Sequence, residues 1–150
     1  MKAPSFSLPD QDGATHTIAQ YKGRWVVLYF YPKDATPGCT KEACAFRDGR
    51  EFLENTGAVV LGVSKDSVAS HKKFAQKHNL NFTLLSDEST DTIKAYGSWG
   101  KKKFMGKEYE GIKRNTYLIN PSGDIYKTYE NVNPITHAGE VYKDLQKVKD

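Results

Sequence analysis

The chain has 150 residues, of which 38% are apolar and 27% are charged, a balance typical of a globular domain with a buried core. No stretch approaches the about 18 apolar residues that cross a bilayer, and the start, MKAPSFSLPDQDG, lacks the apolar segment of a secretory signal. The net charge of +4 is modest and its lysines are spread out, which argues against a nucleic-acid site. Two cysteines are too few for the disulfide framework of a secreted protein, so we expect a cytoplasmic protein. The length of the chain predicts a single domain over residues 1–150.

The first half of the chain predicts a strand–helix–strand unit. Residues 25–31, WVVLYFY, and 58–64, AVVLGVS, are continuous β-branched and aromatic runs, as in strands buried on both faces. Between them, from about residue 40 to residue 55, apolar residues recur at helical spacing: Ala43, Phe46 and Leu53. This order predicts parallel strands joined by a right-handed crossover.

Three further elements follow along the chain. Residues 66–80, DSVASHKKFAQKHNL, predict a helix with Asp66 or Ser67 as its N-cap. A short strand is expected over 82–86, FTLLS, and DESTDTIKAYG predicts a third helix that ends at Gly97.

The remainder predicts a loop, a hairpin and a last helix. Segment 98–113 is rich in Gly and Lys and is expected to be a surface loop, with the run KKK at 101–103 solvated. Residues 114–120 and 124–130 flank PSG, a turn signal, and predict a β-hairpin. The last helix has one apolar stripe, formed by Ala138, Val141, Tyr142 and Leu145. The predicted fold class is α/β, with a central mixed β-sheet flanked by helices on both faces.

Both cysteines lie in the segment YPKDATPGCTKEAC, residues 31–44. Pro32 ends the preceding strand, and Thr36 is a good N-cap for the helix that follows. Cys39 then falls in the first helical turn, where backbone N–H groups without helical acceptors and the helix dipole stabilise an anion. A thiolate at Cys39 is such an anion. The alternative is a small buried core cysteine at a capped helix start.

Cys44 lies five residues after Cys39. On an α-helix, residues at this spacing have Cα atoms about 8–9 Å apart, whereas a disulfide needs less than about 7 Å. The two cysteines therefore cannot bond while the helix is intact. If they do bond, the first turns of the helix must unwind.

The pattern Pro-x-x-x-Thr-x-x-Cys, formed by Pro32, Thr36 and Cys39, resembles the active-site motif of peroxiredoxins. The longer stretch VVLYFYPKDATPGCTKEACAFRD is similar to the Q-type subgroup, also called bacterioferritin comigratory protein. The similarity continues through KAPSFSLPDQDG, LLSD and YGSWGKKKFMGKEYEGIKRNTYLINPSG, and so covers nearly the whole chain. It implies a thioredoxin-like fold and a thiol-dependent peroxidase that reduces hydrogen peroxide and organic hydroperoxides without a metal or other cofactor.

The resemblance also implies residue roles. Cys39 would be the peroxidatic cysteine, which attacks the O–O bond and becomes a sulfenic acid. Thr36 would position the peroxide or the thiolate, and Pro32 would shield the sulfur from water. Arg114, in IKRNTYLIN, would be the cation that holds the thiolate and stabilises the leaving oxygen.

Cys44 resembles the resolving cysteine of the atypical two-cysteine type, which condenses with the sulfenic acid to give an intramolecular Cys39–Cys44 disulfide. The family pattern implies a thioredoxin-like reductant and, for this subgroup, a monomer. Glu42, one turn from Cys39, is expected to influence helix opening without being catalytic.

Two other function classes compete with this interpretation. A thioredoxin-like thiol–disulfide carrier predicts Cys-x-x-Cys, whereas the spacing here is Cys-x-x-x-x-Cys. A non-catalytic binding domain leaves the Thr-Pro-Gly turn unexplained. His71 and His78 could share a helix face, but no cysteine or carboxylate cluster is evident around them, and no glycine-rich nucleotide motif occurs, so neither a metal nor a nucleotide is expected.

Overall fold

The structure is a computed structural model that describes residues 1–49 and 55–149. Within these ranges the strands are, in chain order, β1 (Ser7–Pro9), β2 (Thr15–Thr17), β3 (Val26–Phe30), β4 (Val59–Ser64), β5 (Thr83–Ser86), β6 (Trp99–Phe104), β7 (Lys107–Ile112), β8 (Thr116–Ile119) and β9 (Ile125–Tyr129). The helices are α1 (Pro37–Asp48), α2 (Val68–Lys77), α3 (Asp91–Ala95) and α4 (His137–Lys149), with a 3-10 helix over Ile18–Tyr21.

Five strands form the central sheet in the order β5-β4-β3-β8-β9. Strands β3, β4 and β5 are parallel, whereas β8 runs antiparallel to both β3 and β9. The predicted strand–helix–strand unit and the predicted hairpin of β8 and β9 are confirmed, and the sheet is mixed as expected. Because β8 pairs with β3, the residues just before β8 lie at the carboxyl end of β3, where the chain turns towards α1.

Strand β3 lies at the centre of the core. Its side chains alternate between the two faces, and all five are at most 1% exposed. Val27 and Tyr29 pack on one face, whereas Val26, Leu28 and Phe30 pack on the other. Burying each such side chain contributes about 1.5–3 kcal/mol relative to leaving it in water, which accounts for the apolar and aromatic character of this run.

Helices cover both faces of the sheet, as predicted. The first face carries α1, α2 and α4, through apolar side chains that include Phe46, Phe74 and the predicted stripe of Ala138, Val141, Tyr142 and Leu145. The second face carries the N-terminal segment, α3 and the end of β7, through Phe6, Leu8, Ile93, Tyr96 and Ile112. This arrangement is the thioredoxin-like fold that the resemblance implies.

The expectation of a surface loop over 98–113 is wrong, because β6 and β7 form an antiparallel hairpin there. Met105 and Gly106 join the strands with φ values of 52° and 79°, a left-handed pair that suits a two-residue hairpin turn. The sequence does not predict these two strands from an apolar pattern, because most of their side chains are exposed lysine, glutamate and tyrosine. The hairpin of β1 and β2 was also not predicted.

The helix boundaries refine the predictions. Helix α1 begins at Pro37 with Thr36 as its N-cap residue, and α2 uses Ser67, whose hydroxyl accepts from the backbone N–H of Ser70 at 3.1 Å. The continuation predicted to residue 55, including Leu53, falls on residues 50–54 and lies outside the described residues.

Candidate active site

Cys39 lies in the first turn of α1 and is buried, with 1% of its surface exposed. The sheet brings a cation to it from far along the chain. The N–H of Phe30 at the end of β3 donates to the carbonyl of Asn115 at 2.8 Å, so Arg114 lies beside the start of α1. Arg114 Nη2 donates to Cys39 Sγ at 3.3 Å. The cation implied by the resemblance is therefore in direct contact with the sulfur.

Gly38 lets the Arg114 guanidinium approach the backbone of α1. A Cβ at Gly38 would lie 3.3 Å from Arg114 Nη2 and 3.6 Å from Pro134 Cγ. A side chain at this position would therefore crowd the guanidinium beside the sulfur.

Arg114 also binds Glu42, one helical turn after Cys39. Its Nη1 donates to Glu42 Oε1 at 2.8 Å, and the Glu42 side chain is completely buried. Burial raises the pKa of Glu42 to about 7, although Arg114 counteracts this rise. For Arg114, burial lowers the pKa, but the charges of Cys39 and Glu42 outweigh this and raise it above its usual range. The guanidinium fork is thus fixed between a sulfur and a carboxyl group.

The two remaining motif residues border the same turn. Thr36 is half-buried, and its hydroxyl donates to the carbonyl of Lys33 at 3.1 Å rather than capping the helix. Pro32 is half-buried and lies two residues after the end of β3. Both lie in the loop that leads from β3 to Cys39.

Cys44 lies on α1 and is half-buried, and both cysteines are free thiols. The backbone from Pro37 to Asp48 is regular α-helix, so the spacing argument against a bond between the intact positions applies.

Comparisons with known proteins agree with this geometry. A profile of the AhpC/TSA family matches residues 1–128. A putative peroxiredoxin bcp of Coxiella burnetii is 50% identical over 140 residues, covering 93% of each chain. Peroxiredoxin Bcp of Bacillus subtilis is 47% identical over 149 residues, covering 99% of this chain and 93% of the relative. A structure of Xanthomonas campestris peroxiredoxin Q has a TM-score of 0.92 at 36% identity, covering 97% of this chain and 92% of its own.

The chain belongs to the AhpC/TSA family, as a Q-type peroxiredoxin. Peroxiredoxins are thiol-dependent peroxidases, so the predicted enzyme class, an oxidoreductase acting on peroxides, is confirmed. No helix in the part of the chain that the structure describes is long and apolar enough to pass through a membrane.

Sequence reasoning missed Lys102 of this peroxiredoxin. In the run KKK, Lys101 and Lys103 are exposed, whereas Lys102 is half-buried and its Nζ donates to the carbonyl of Ile112 at 2.9 Å. Burial and, to a smaller extent, the charge of Arg114 lower the pKa of Lys102, and the negative charge of an ionised Cys39 offsets only part of this decrease. Lys102 is therefore a second cation within the electrostatic field of the site, and the expectation of a wholly solvated run is wrong.

Sequence reasoning also missed two carboxylates beside His71. His71, Asp34 and Asp66 offer ligand atoms that all lie within 4.8 Å of one another. These atoms hydrogen-bond to protein groups, however: His71 Nδ1 lies 2.7 Å from Asp34 Oδ2, and the Asp34 N–H donates to Asp66 Oδ2 at 2.8 Å. The cluster is thus a hydrogen-bonded network that includes the loop before Cys39.

Proposed function

We propose that this peroxiredoxin reduces hydrogen peroxide and organic hydroperoxides with Cys39 as its peroxidatic nucleophile. The observation that carries the proposal is the hydrogen bond from Arg114 to the buried sulfur of Cys39. A cation fixed on the thiol by a second partner, Glu42, favours the thiolate, which is the nucleophilic form.

In the first step, the Cys39 thiolate attacks the terminal oxygen of the hydroperoxide. The S–O bond forms as the O–O bond breaks, and the departing alkoxide or hydroxide leaves as alcohol or water after taking a proton. Negative charge moves from sulfur to the leaving oxygen, so Arg114 stabilises both ends of the transfer. Removing a single donor of this kind typically slows a reaction by about 10²–10³-fold.

Thr36 and Pro32 complete the proposed pocket. We assign the Thr36 hydroxyl to the peroxide or the thiolate, because it lies in the loop directly before the first turn of α1. Pro32, two residues after the end of β3, limits access of water to the sulfur. Their positions in the motif support these roles.

In the second step, the Cys44 thiol attacks the sulfenic sulfur of Cys39, a disulfide forms, and water leaves. The start of α1 unwinds to let the two sulfurs meet. A thioredoxin-like dithiol then reduces the disulfide by two exchange steps. This cycle fits antioxidant defence by a monomer in the cytoplasm, where reducing equivalents are plentiful.

Support for organic hydroperoxides comes from a relative. A Xanthomonas campestris bacterioferritin comigratory protein, 35% identical and with a TM-score of 0.92, is described by its alkyl peroxide reduction activity. The proposal extends that substrate class to this chain.

The test follows peroxide consumption in the presence of thioredoxin and its reductase. Wild-type protein should turn over, Cys39→Ser should be inactive, and Cys44→Ser should consume one equivalent of peroxide and then stall. A thiol–disulfide carrier would exchange disulfides with thioredoxin without consuming peroxide. Substantial turnover by Cys39→Ser would overturn the assignment of the nucleophile.

A further inference from the structure

The loop between β3 and α1 is tied to α2 by buried polar groups around Asp34. The Tyr31 hydroxyl donates to Asp34 Oδ1 at 2.6 Å, the Ser70 hydroxyl donates to Oδ2 at 2.8 Å, and His71 Nδ1 lies 2.7 Å from Oδ2. The Asp34 N–H donates to Asp66 Oδ2 at 2.8 Å. We call these five residues the Asp34 cluster.

The contact between Asp34 and His71 contains a proton. His71 Nε2 lies 2.9 Å from the carbonyl oxygen of Leu85, which can only accept, so Nε2 carries a hydrogen. The contact of Nδ1 with the Asp34 carboxyl group then needs one more proton, carried by the ring or by the acid. Either way the pair has no net charge, and removing one partner leaves the other buried without compensation.

The cluster adjoins a strained backbone position. Ala35 has a φ of 65°, a left-handed conformation that is uncommon for a residue with a Cβ. Such a conformation is unfavourable for a residue with a Cβ and persists only where its surroundings hold it. Thr36 follows directly and donates its hydroxyl to Lys33, so the turn at Ala35 sets the direction of the Thr36 side chain.

The proposed peroxidase chemistry uses no atom of the Asp34 cluster. Asp34 is 6% exposed and His71 is completely buried, so neither is a surface group that happens to be solvated. Their hydrogen bonds link Tyr31, directly after β3, and the start of α2 to Asp34, two residues before the N-cap of α1. The cluster therefore acts on the loop rather than on a ligand.

We propose that Asp34 and His71 are positioning residues of the peroxidase site. Their buried pair holds the left-handed turn at Ala35, and this turn orients Thr36 and the first turn of α1 at Cys39. The proposal rests on the function proposed above, since it assigns the pair to the reaction of Cys39 with peroxide. It predicts that substitution of Asp34 or His71 slows the reaction of Cys39 with peroxide more than it slows other reactions of the same thiol.

The test compares two rate constants of Cys39 in a Cys44→Ser background: oxidation by hydrogen peroxide, and alkylation by iodoacetamide. Alkylation needs the thiolate but not the geometry that cleaves an O–O bond. Asp34→Ala and His71→Leu should slow oxidation at least about ten-fold, while alkylation stays within about two-fold. Asp34→Asn keeps the shape and part of the hydrogen bonding, so it should recover much of the oxidation rate.

Two further variants separate positioning from stability. The double variant Asp34→Ala/His71→Leu leaves no unpaired buried charge and should fold even if a single variant does not, yet it should remain slow with peroxide. Tyr117→Phe, which removes a buried hydroxyl that donates to the Tyr96 carbonyl on the second face of the sheet, should keep the wild-type oxidation rate.

Wild-type oxidation rates in the double variant would overturn the proposal, as would equal losses in oxidation and alkylation. Peroxide consumption by Cys39→Ser in the assay with thioredoxin and its reductase would instead overturn the proposed function itself. The two failures are therefore distinguishable.

Discussion

One guanidinium links the two buried polar groups of α1: Arg114 donates to Cys39 Sγ at 3.3 Å and to Glu42 Oε1 at 2.8 Å. The bond to Glu42 fixes the fork, and the fork then presents a fixed donor to the sulfur. The buried carboxyl group thus acts on the thiol through the arginine, although the sequence alone suggests only an influence on helix opening.

Replacing Arg114 by Met should slow the reaction with hydrogen peroxide by about 10²–10³-fold, because a pre-placed donor to the transition-state charge is lost. Stopped-flow fluorescence measures this rate. Lys113→Met is the matched control, since the Lys113 side chain packs beside Gly100, and it should react like the wild type. An unchanged rate in Arg114→Met would mean that another cation serves the sulfur.

Glu42→Gln should change how stability depends on pH. The pKa of Glu42 rises from 4.5 to about 7 on folding, so the folded state binds the proton more tightly than the unfolded state. Its contribution to stability is therefore fully present below about pH 4.5 and is lost as the pH rises towards 7, by on the order of 3 kcal/mol.

Urea unfolding at pH 5 and pH 8 measures this effect as the difference between wild type and variant. Wild type should lose more stability than Glu42→Gln over this interval, whereas the exposed Glu88→Gln should follow the wild type. Parallel pH dependences in wild type and Glu42→Gln would show that Glu42 does not titrate in this range.

The three lysines at 101–103 should differ in their effect on catalysis. Lys102→Met should slow the peroxide reaction by about five-fold, which corresponds to on the order of 1 kcal/mol from a half-buried charge that interacts with an ionised Cys39. Lys101→Met and Lys103→Met should have no effect, because both side chains are exposed. Lys102→Arg should restore most of the rate. Equal effects at all three positions would indicate only a change in net charge.

Oxidation to the disulfide should unwind the first two turns of α1, since helix geometry and disulfide geometry exclude each other at this spacing. A helix start with Pro37 and Gly38 belongs to the less stable parts of a fold. Hydrogen exchange of the amides of residues 39–46 should be slow in the reduced protein and fast in the oxidised protein. Equal protection in both states would exclude the unwinding.

Much of the fold follows from local sequence. β3 and β4 are continuous apolar runs, the turn between β8 and β9 carries Pro-Ser-Gly, and α4 has an apolar stripe, so each element is specified by its own residues. The hairpin of β6 and β7 is not, because its pairing is encoded by the left-handed turn at Met105–Gly106 rather than by an apolar pattern.

The candidate site likewise combines features that the local sequence specifies with features that depend on tertiary structure. The thiolate-favouring turn at Cys39 is a local feature and can be argued from residues 36–39 alone. Strand pairing and helix packing bring Arg114 and Lys102 to the site and place Asp34 beside His71. No spacing rule selects one cation among 22 lysines and arginines. Arg114 was predicted only through the family resemblance, and Lys102 was not predicted.

The most direct test of the central claim identifies the sulfur that receives the peroxide oxygen. Reduced Cys44→Ser protein is treated with one equivalent of hydrogen peroxide and dimedone, and the adduct is mapped by peptide mass spectrometry; wild type is mapped without dimedone. The account predicts a dimedone adduct on Cys39 in the variant and an intramolecular Cys39–Cys44 disulfide in the wild type. Oxidation of Cys44 in wild type with Cys39 still a free thiol, or no adduct on Cys39 in the variant, would contradict it.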